Sequence, residues 1–170
     1  LGLNTPAVES VILGKRLLVT EFIKGNSLAD VIQYSLNEDN EYNNIDLIKA
    51  AGEQIATIHN AKSTFGNIKP KNLIIRGNSL YFTGVDQFGF CSGDPIWDIV
   101  QFICRGLKQT TNSTVASKVV REFLLGYSNE MTAEYIKKLS RSKRYIESFY
   151  PLLSPAVARS IKKEIRAFIC

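Results

Sequence analysis

The stretch Gly66-Asn67-Ile68-Lys69-Pro70-Lys71-Asn72 runs into Leu73-Ile74-Ile75-Arg76, the turn Gly77-Asn78-Ser79, and Leu80-Tyr81-Phe82-Thr83-Gly84-Val85-Asp86. Its reading decides the fold. Two β-rich runs separated by turn residues predict a hairpin, with strands over residues 73–76 and 80–85. Asn72 begins one strand and Asp86 ends the other, so the hairpin carries both to the same end. An amide oxygen beside a carboxylate at a strand edge suits Mg²⁺, a hard cation that takes few protein oxygens and completes its shell with water and phosphate. Lys69 precedes Asn72 by three residues, where its ammonium can meet a phosphate oxygen. Asn67 precedes Asn72 by five, where an attacking hydroxyl needs orienting.

Working outward, residues 11–23 read as a second hairpin. Val11-Ile12-Leu13 and Leu17-Leu18-Val19 are β-rich, and Gly14-Lys15-Arg16 turns between them. Glu21-Phe22-Ile23-Lys24-Gly25-Asn26 then leaves the sheet as an ordered loop. Ser27 is placed to cap a helix to about Tyr34, and the polar, acidic residues 37–44 make a surface loop. Asp46 caps a long helix to about Ala61. Its Ile48, Ala51, Ile55 and Ile58 recur at three- and four-residue steps and form one buried stripe. His59, the single histidine, falls beside that stripe and is assigned to packing rather than catalysis. Gly93-Asp94-Pro95 opens an apolar helix from Ile96 to about Gly106. Helices fill the remainder, with breaks near residues 110–113, 128–132 and 151–155. Val119, Phe123, Leu124, Ile136, Ile161, Ile165 and Phe168 are its expected core. A small sheet, a lone hairpin and many helices make an α+β arrangement with helix in the majority.

The chain has 170 residues, of which 45% are apolar and 22% charged, enough for one packed domain and too apolar for wholesale disorder. No apolar run approaches the ~20 residues of a membrane span; the nearest, residues 96–104, is interrupted by Asp98 and Gln101. No signal-type leader opens the chain. Cys91, Cys104 and Cys170 sit far apart, which disfavours a disulfide framework or a zinc site and predicts reduced thiols in a cytoplasmic protein. The net charge of +5 is uneven. Residues 131–170 hold nine Lys/Arg against three acids, while the rest holds twelve against thirteen. That basic C-terminal third is either the solvated face of helices or a contact for nucleic acid or an acidic partner. No membrane partner is expected.

The order of these elements resembles the protein-kinase catalytic loop and its metal-binding aspartate. Residues 66–72 are similar to the family's Gly-Asp-Ile-Lys-Pro-x-Asn, and Val85-Asp86-Gln87-Phe88-Gly89 to its Asp-Phe-Gly element with one residue inserted. Leu18-Val19-Thr20-Glu21-Phe22-Ile23-Lys24-Gly25 resembles the strand and hinge that hold adenine, which implies nucleotide contacts at Glu21, Phe22 and Ile23. The resemblance implies ATP and Mg²⁺ as cofactors, Asn72 and Asp86 on the metal, Lys69 on the γ-phosphate and Asn67 at the catalytic-base position. Gly93-Asp94-Pro95-Ile96-Trp97-Asp98 follows closely, with Asp98 only twelve residues after Asp86. Conventional kinases place a longer activation segment there. The short spacing resembles small atypical kinases: the RIO group, the kinase subunit of the archaeal KEOPS tRNA-modification complex and their archaeal serine/threonine relatives. The aminoglycoside phosphotransferases share it. The segment Phe149-Tyr150-Pro151-Leu152-Leu153-Ser154-Pro155-Ala156-Val157-Ala158-Arg159 is most similar to the archaeal serine/threonine kinases. Asp98 is expected to bond the backbone of the catalytic loop. In this reading residues 1–24 are a remnant of N-lobe strands and hinge, and residues 25–170 a mostly helical C-lobe.

Three departures qualify the resemblance. Asn67 replaces the aspartate that accepts the substrate proton, and Phe65 the usual histidine before it. An amide can orient a hydroxyl but cannot take its proton, and loss of a general base typically costs ~10²–10⁴-fold in rate. The chain opens without a glycine-rich loop, strand lysine or helix glutamate, as expected of a fragment or of a remnant lacking a full nucleotide roof. Gln87 displaces Phe88 and Gly89 by one place. The expected function is a weakened, atypical Mg-ATP-dependent serine/threonine protein kinase acting on a protein substrate. The alternative is a pseudokinase scaffold that binds nucleotide or a partner, with a place in a tRNA-modification assembly as one form. A small-molecule phosphotransferase is disfavoured by the absent base and the basic helices.

Overall fold

The computed structural model describes residues 2–34, 45–84, 93–131 and 137–169. At its centre the stripe of α2 (Ile45–Asn60) packs on α4 (Ser113–Glu130), and Ile48, Ala51, Ile55 and Ile58 are all buried. A Cβ at Gly52 would run into the carbonyl oxygen of Phe123, so only glycine lets the two helices approach this closely. From α4, Val119, Phe123, Leu124 and Tyr127 fill the interface, and Phe123 stacks on Phe102 of α3 (Pro95–Gly106) with centroids 4.8 Å apart. The C-terminal helix α6 (Pro155–Ile169) adds Ile161 and Ile165, with Phe168 half-buried beside them. The short helix α5 (Ser142–Glu147) lies between, and Ile136 is outside the described residues. Among the described residues no helix is long and apolar enough to cross a membrane.

Two small sheets accompany this helical body. Strands β1 (Val8–Ile12) and β2 (Leu17–Thr20) form the expected first hairpin, which begins three residues earlier than expected and turns through Leu13–Lys15 with Arg16 at φ +51°. The second sheet has the order β3-β4-β5: Asn26–Ser27, Leu73–Arg76 and Ser79–Phe82. The loop over residues 21–26 leaves the first sheet as expected, and its end then joins the second, pairing antiparallel with β4 through Asn26↔Ile75 and Ser27↔Ile74. The structure corrects one expectation here. The last strand ends at Phe82 rather than Val85: the Thr83 N–H still reaches the Asn72 carbonyl (2.8 Å), but the Asn72 N–H turns to the Lys69 carbonyl (2.9 Å) and Gly84 takes φ +69°, so the ladder goes no further.

Helix boundaries follow local chemistry. Ser27 caps α1 (Leu28–Tyr34) reciprocally: its hydroxyl accepts the Asp30 N–H at 3.2 Å, and the Asp30 carboxylate accepts the Ser27 N–H at 3.1 Å. Asp46 is not a cap, since α2 begins at Ile45; it lies in the first turn, where a carboxylate complements the helix dipole. Asp94 caps α3 through the Ile96 N–H, with Pro95 in the first turn. Asn112 caps α4 through Thr114 and Val115, and α4 runs past the expected break at residue 128 to Glu130.

Candidate functional site

The loop before β4 is held by side chains from α2 and α3. Asp98, on the first turn of α3, is fully buried, and its carboxylate accepts the backbone N–H groups of Phe65 (2.6 Å) and Gly66 (2.9 Å). A buried carboxylate is costly unless donors satisfy it, and here the loop amides and His59 serve as partners. The carboxylate oxygen that accepts the Phe65 N–H also lies 3.3 Å from Nε2 of His59, whose Nδ1 is 2.8 Å from the Tyr127 hydroxyl. Asp98 therefore does what was expected of it, and His59 packs as expected while also joining α2, α3 and α4 in one polar network. Trp97 adds a bond from its indole N–H to the Gly66 carbonyl (3.2 Å). Phe65 stacks on Phe82 of β5 with centroids 5.3 Å apart, so the aromatic at this position ties the loop to the hairpin.

Asn67 is half-buried between this anchored segment and Ile68, which is sunk in the core. Lys69 is extended and half-buried. A single tight turn over Pro70–Asn72 then links Lys69 to Asn72, whose N–H donates to the Lys69 carbonyl at 2.9 Å. Asn72 faces the end of β5: a Cβ at Gly84 would lie 2.8 Å from its side-chain nitrogen, so the glycine makes room for that carboxamide. Asp86, with Val85, Gln87, Phe88, Gly89 and Cys91, lies outside the described residues, as do the acidic residues 37–44 and Cys170. Asn67, Lys69 and Asn72 thus share one loop, and Asn72 lies beside Gly84, which precedes Asp86 by two residues in the sequence.

The segment over residues 21–23 connects β2 of the first sheet to β3 of the second. Glu21 donates its N–H to the Ala7 carbonyl (2.8 Å) and accepts Arg76 of β4 on its carboxylate (2.8 Å). Ile23 is buried, whereas the Phe22 ring is 86% exposed. Sequence reasoning missed Thr83 and Gly84, which set the Asn72 backbone and side chain; the Thr-Gly pair at a strand end was the available signal. Asp94, read as part of the opening of α3, caps it as that reading implies; what the sequence did not show is that it also accepts the Tyr145 hydroxyl at 2.8 Å and Arg144 at 3.3 Å. Among the described residues no three His, Cys, Asp or Glu side chains group as metal ligands. Burial pushes the Cys104 thiol on α3 up to about 12, which marks it as a core residue rather than a nucleophile.

Comparison with known proteins adds two relatives. The chain is 28% identical over 152 residues to a "Probable bifunctional tRNA threonylcarbamoyladenosine biosynthesis protein" of Methanobrevibacter smithii, covering 85% of this chain and 26% of that protein. It is 26% identical over 113 residues to "KEOPS complex subunit Bud32" of Pyrococcus abyssi, covering 66% of this chain and 48% of that subunit. The chain thus spans about a quarter of one relative and about half of the other. No protein-family model matches.

Proposed function

We propose that this chain is the hinge and helical lobe of a small atypical kinase-like phosphotransferase of the Bud32 kind, working beside partner proteins in tRNA modification. The single observation that carries this reading is the buried Asp98 carboxylate on the Phe65 and Gly66 amides, which holds the loop with Asn67, Lys69 and Asn72 in register beside β5. Similarity to two archaeal proteins named for tRNA threonylcarbamoyladenosine synthesis and for the KEOPS complex supports the setting.

The donor chemistry fits magnesium and nucleotide. Asn72 offers a neutral carboxamide, and the space left by Gly84 directs it toward the strand end from which Asp86 follows. Oxygen ligands few in number suit Mg²⁺, which keeps water and phosphate for the rest of its shell. Magnesium-bound ATP would supply the transferable phosphoryl group and the charge that balances it. Asn72 and Asp86 would hold the metal, Lys69 would neutralise the γ-phosphate, and the backbone of Glu21 and Ile23, flanking Phe22, would take the adenine. Asn67 would orient the accepting hydroxyl without removing its proton. Positioning and charge carry most of phosphoryl transfer, so such a site works slowly rather than not at all.

One residue favours a second reading. Asn67 stands where a proton acceptor is needed, and that favours a scaffold that binds nucleotide or a partner protein without turnover. Both readings share nucleotide binding, which a thermal shift with and without Mg-ATP tests. Saturating ligand at a hundredfold excess over Kd should stabilise the wild type by about 2.7 kcal/mol, and Asp86→Ala should lose that gain. Equal shifts in both proteins take the metal role from Asp86. Asn67→Asp should raise ATP turnover ~10-fold or more if the site is catalytic, within the range a general base supplies; no gain while Mg-ATP is bound leaves the scaffold.

A further inference from the structure

A cleft of about 210 Å³ opens beside the anchored loop, where the start of α1, residues 69–71 and the end of α3 meet. Its charged lining is Asp30, Lys69, Lys71, Arg105 and Lys108: four cations and one carboxylate. That carboxylate is already engaged, because Asp30 accepts both the N–H and the hydroxyl of Ser27. The cations are brought together by close backbone approach. A Cβ at Gly106 would lie 3.1 Å from Pro70 Cγ, so the glycine lets the end of α3 close on the loop. Arg105 lines it, with its guanidinium carbon 5.9 Å from the Phe149 ring centroid. Its Nε is buried and has no hydrogen-bond partner among the described residues. Like charges gathered in one concavity repel each other and raise the local concentration of anions, and an unpartnered buried N–H carries a cost that a ligand oxygen removes. Arginine beside lysines is the combination that suits phosphate, one as a planar fork and the others as point charges.

We propose that this cleft is a phosphate-binding site, separate from the Asn72–Asp86 metal position, held by Lys71, Arg105 and Lys108. The volume lies below the roughly 300–1,000 Å³ of pockets that enclose drug-sized ligands, so it takes a phosphate or pyrophosphate group rather than a whole nucleotide. The phosphate can belong to a free small anion or to a nucleic-acid backbone. The site stands on this lining alone and holds whether or not the chain transfers phosphoryl groups.

The test is titration of pyrophosphate in EDTA at fixed ionic strength, followed by backbone amide NMR shifts, with a single-stranded RNA oligonucleotide as competitor. Saturable shifts at Gly106 and Gln109 are expected, with Kd weakened at least tenfold in Lys71→Ala/Lys108→Ala and unchanged in Asp86→Ala. Arg105→Gln should weaken binding likewise, and Lys108→Glu supplies a surface variant should Arg105→Gln unfold through its lost Phe149 contact. RNA that displaces pyrophosphate identifies a nucleic-acid backbone as the source; RNA that does not identifies a free phosphate, and either result upholds the site. Absent shifts, equal affinity in the double variant, loss of binding in Asp86→Ala, or equal binding of polyglutamate overturns it.

Discussion

The two β-hairpins of this chain have similar strand composition and opposite fates. In β1–β2 every residue is exposed, including Leu13 at 83% and Val8 at 60%, and the ladder between the strands is extended by the Glu21 N–H on the Ala7 carbonyl. In β4–β5, Leu73, Leu80 and Phe82 are buried, the edges are taken by β3 and by Asn4, and the turn closes over Gly77 at φ +61°. A one-residue slip in a strand with a buried face would turn its apolar set to solvent, so register is strongly specified there and weakly where neither face is buried. The buried hairpin is thus the one fit to hold site residues at fixed spacing, and Asn72 sits at its entrance.

Substitutions that act on this contrast should separate the two hairpins. Asp98→Ala should destabilise most, by about 3–5 kcal/mol in urea unfolding, because it strips a buried anchor from two amides and His59. Leu18→Thr on the exposed hairpin should stay within about 0.5 kcal/mol. Next, Leu73→Ala should cost about 3 kcal/mol through loss of buried volume, whereas Leu17→Ala should cost less than about 1 kcal/mol, since that side chain is half in water; similar losses at both positions would remove the distinction.

The Cys104 thiol predicts a pH-linked effect, absent at neutral pH. Its pKa is raised from 9.0 to about 12 by burial, so the folded state keeps a proton that the unfolded chain loses. Stability from this group is intact below pH 9 and declines as pH rises from about 9 toward 12, by up to about 1.4 kcal/mol per unit. Cys104→Ala should flatten that part of the pH profile relative to wild type. The smallest effect belongs to the Glu21–Arg76 pair, which is solvent-exposed on both sides: Glu21→Gln should change stability by about 0–1 kcal/mol and lose even that at high salt.

Much of this was legible in the residues. The stripe Ile48, Ala51, Ile55, Ile58 announced α2, and turn chemistry placed both hairpins within a few residues. The pairing of Asn26 and Ser27 with β4 was not legible, because two residues carry no period to read and their strand state depends on a distant partner. The early end of β5 was hidden for a related reason: Tyr81-Phe82-Thr83-Gly84-Val85 continues a β-rich composition, while the turn of the Asn72 N–H to the Lys69 carbonyl, which stops the ladder, lies in the partner segment. In the site, the loop residues and Asp98 stood out by order and spacing. The cluster of Lys71, Arg105 and Lys108 did not, since only the close packing of α3 on Pro70 brings them together.

Asn72 and Asp86 are proposed to hold a metal-bound triphosphate together. Manganese substituted for magnesium with ATP tests it through paramagnetic broadening of the Asn72 side-chain amide and the Gly84 backbone amide. The account predicts strong broadening of both signals in wild type and its loss in Asp86→Ala. Unbroadened signals at saturating Mn-ATP, or the same broadening after Asp86→Ala, would contradict it.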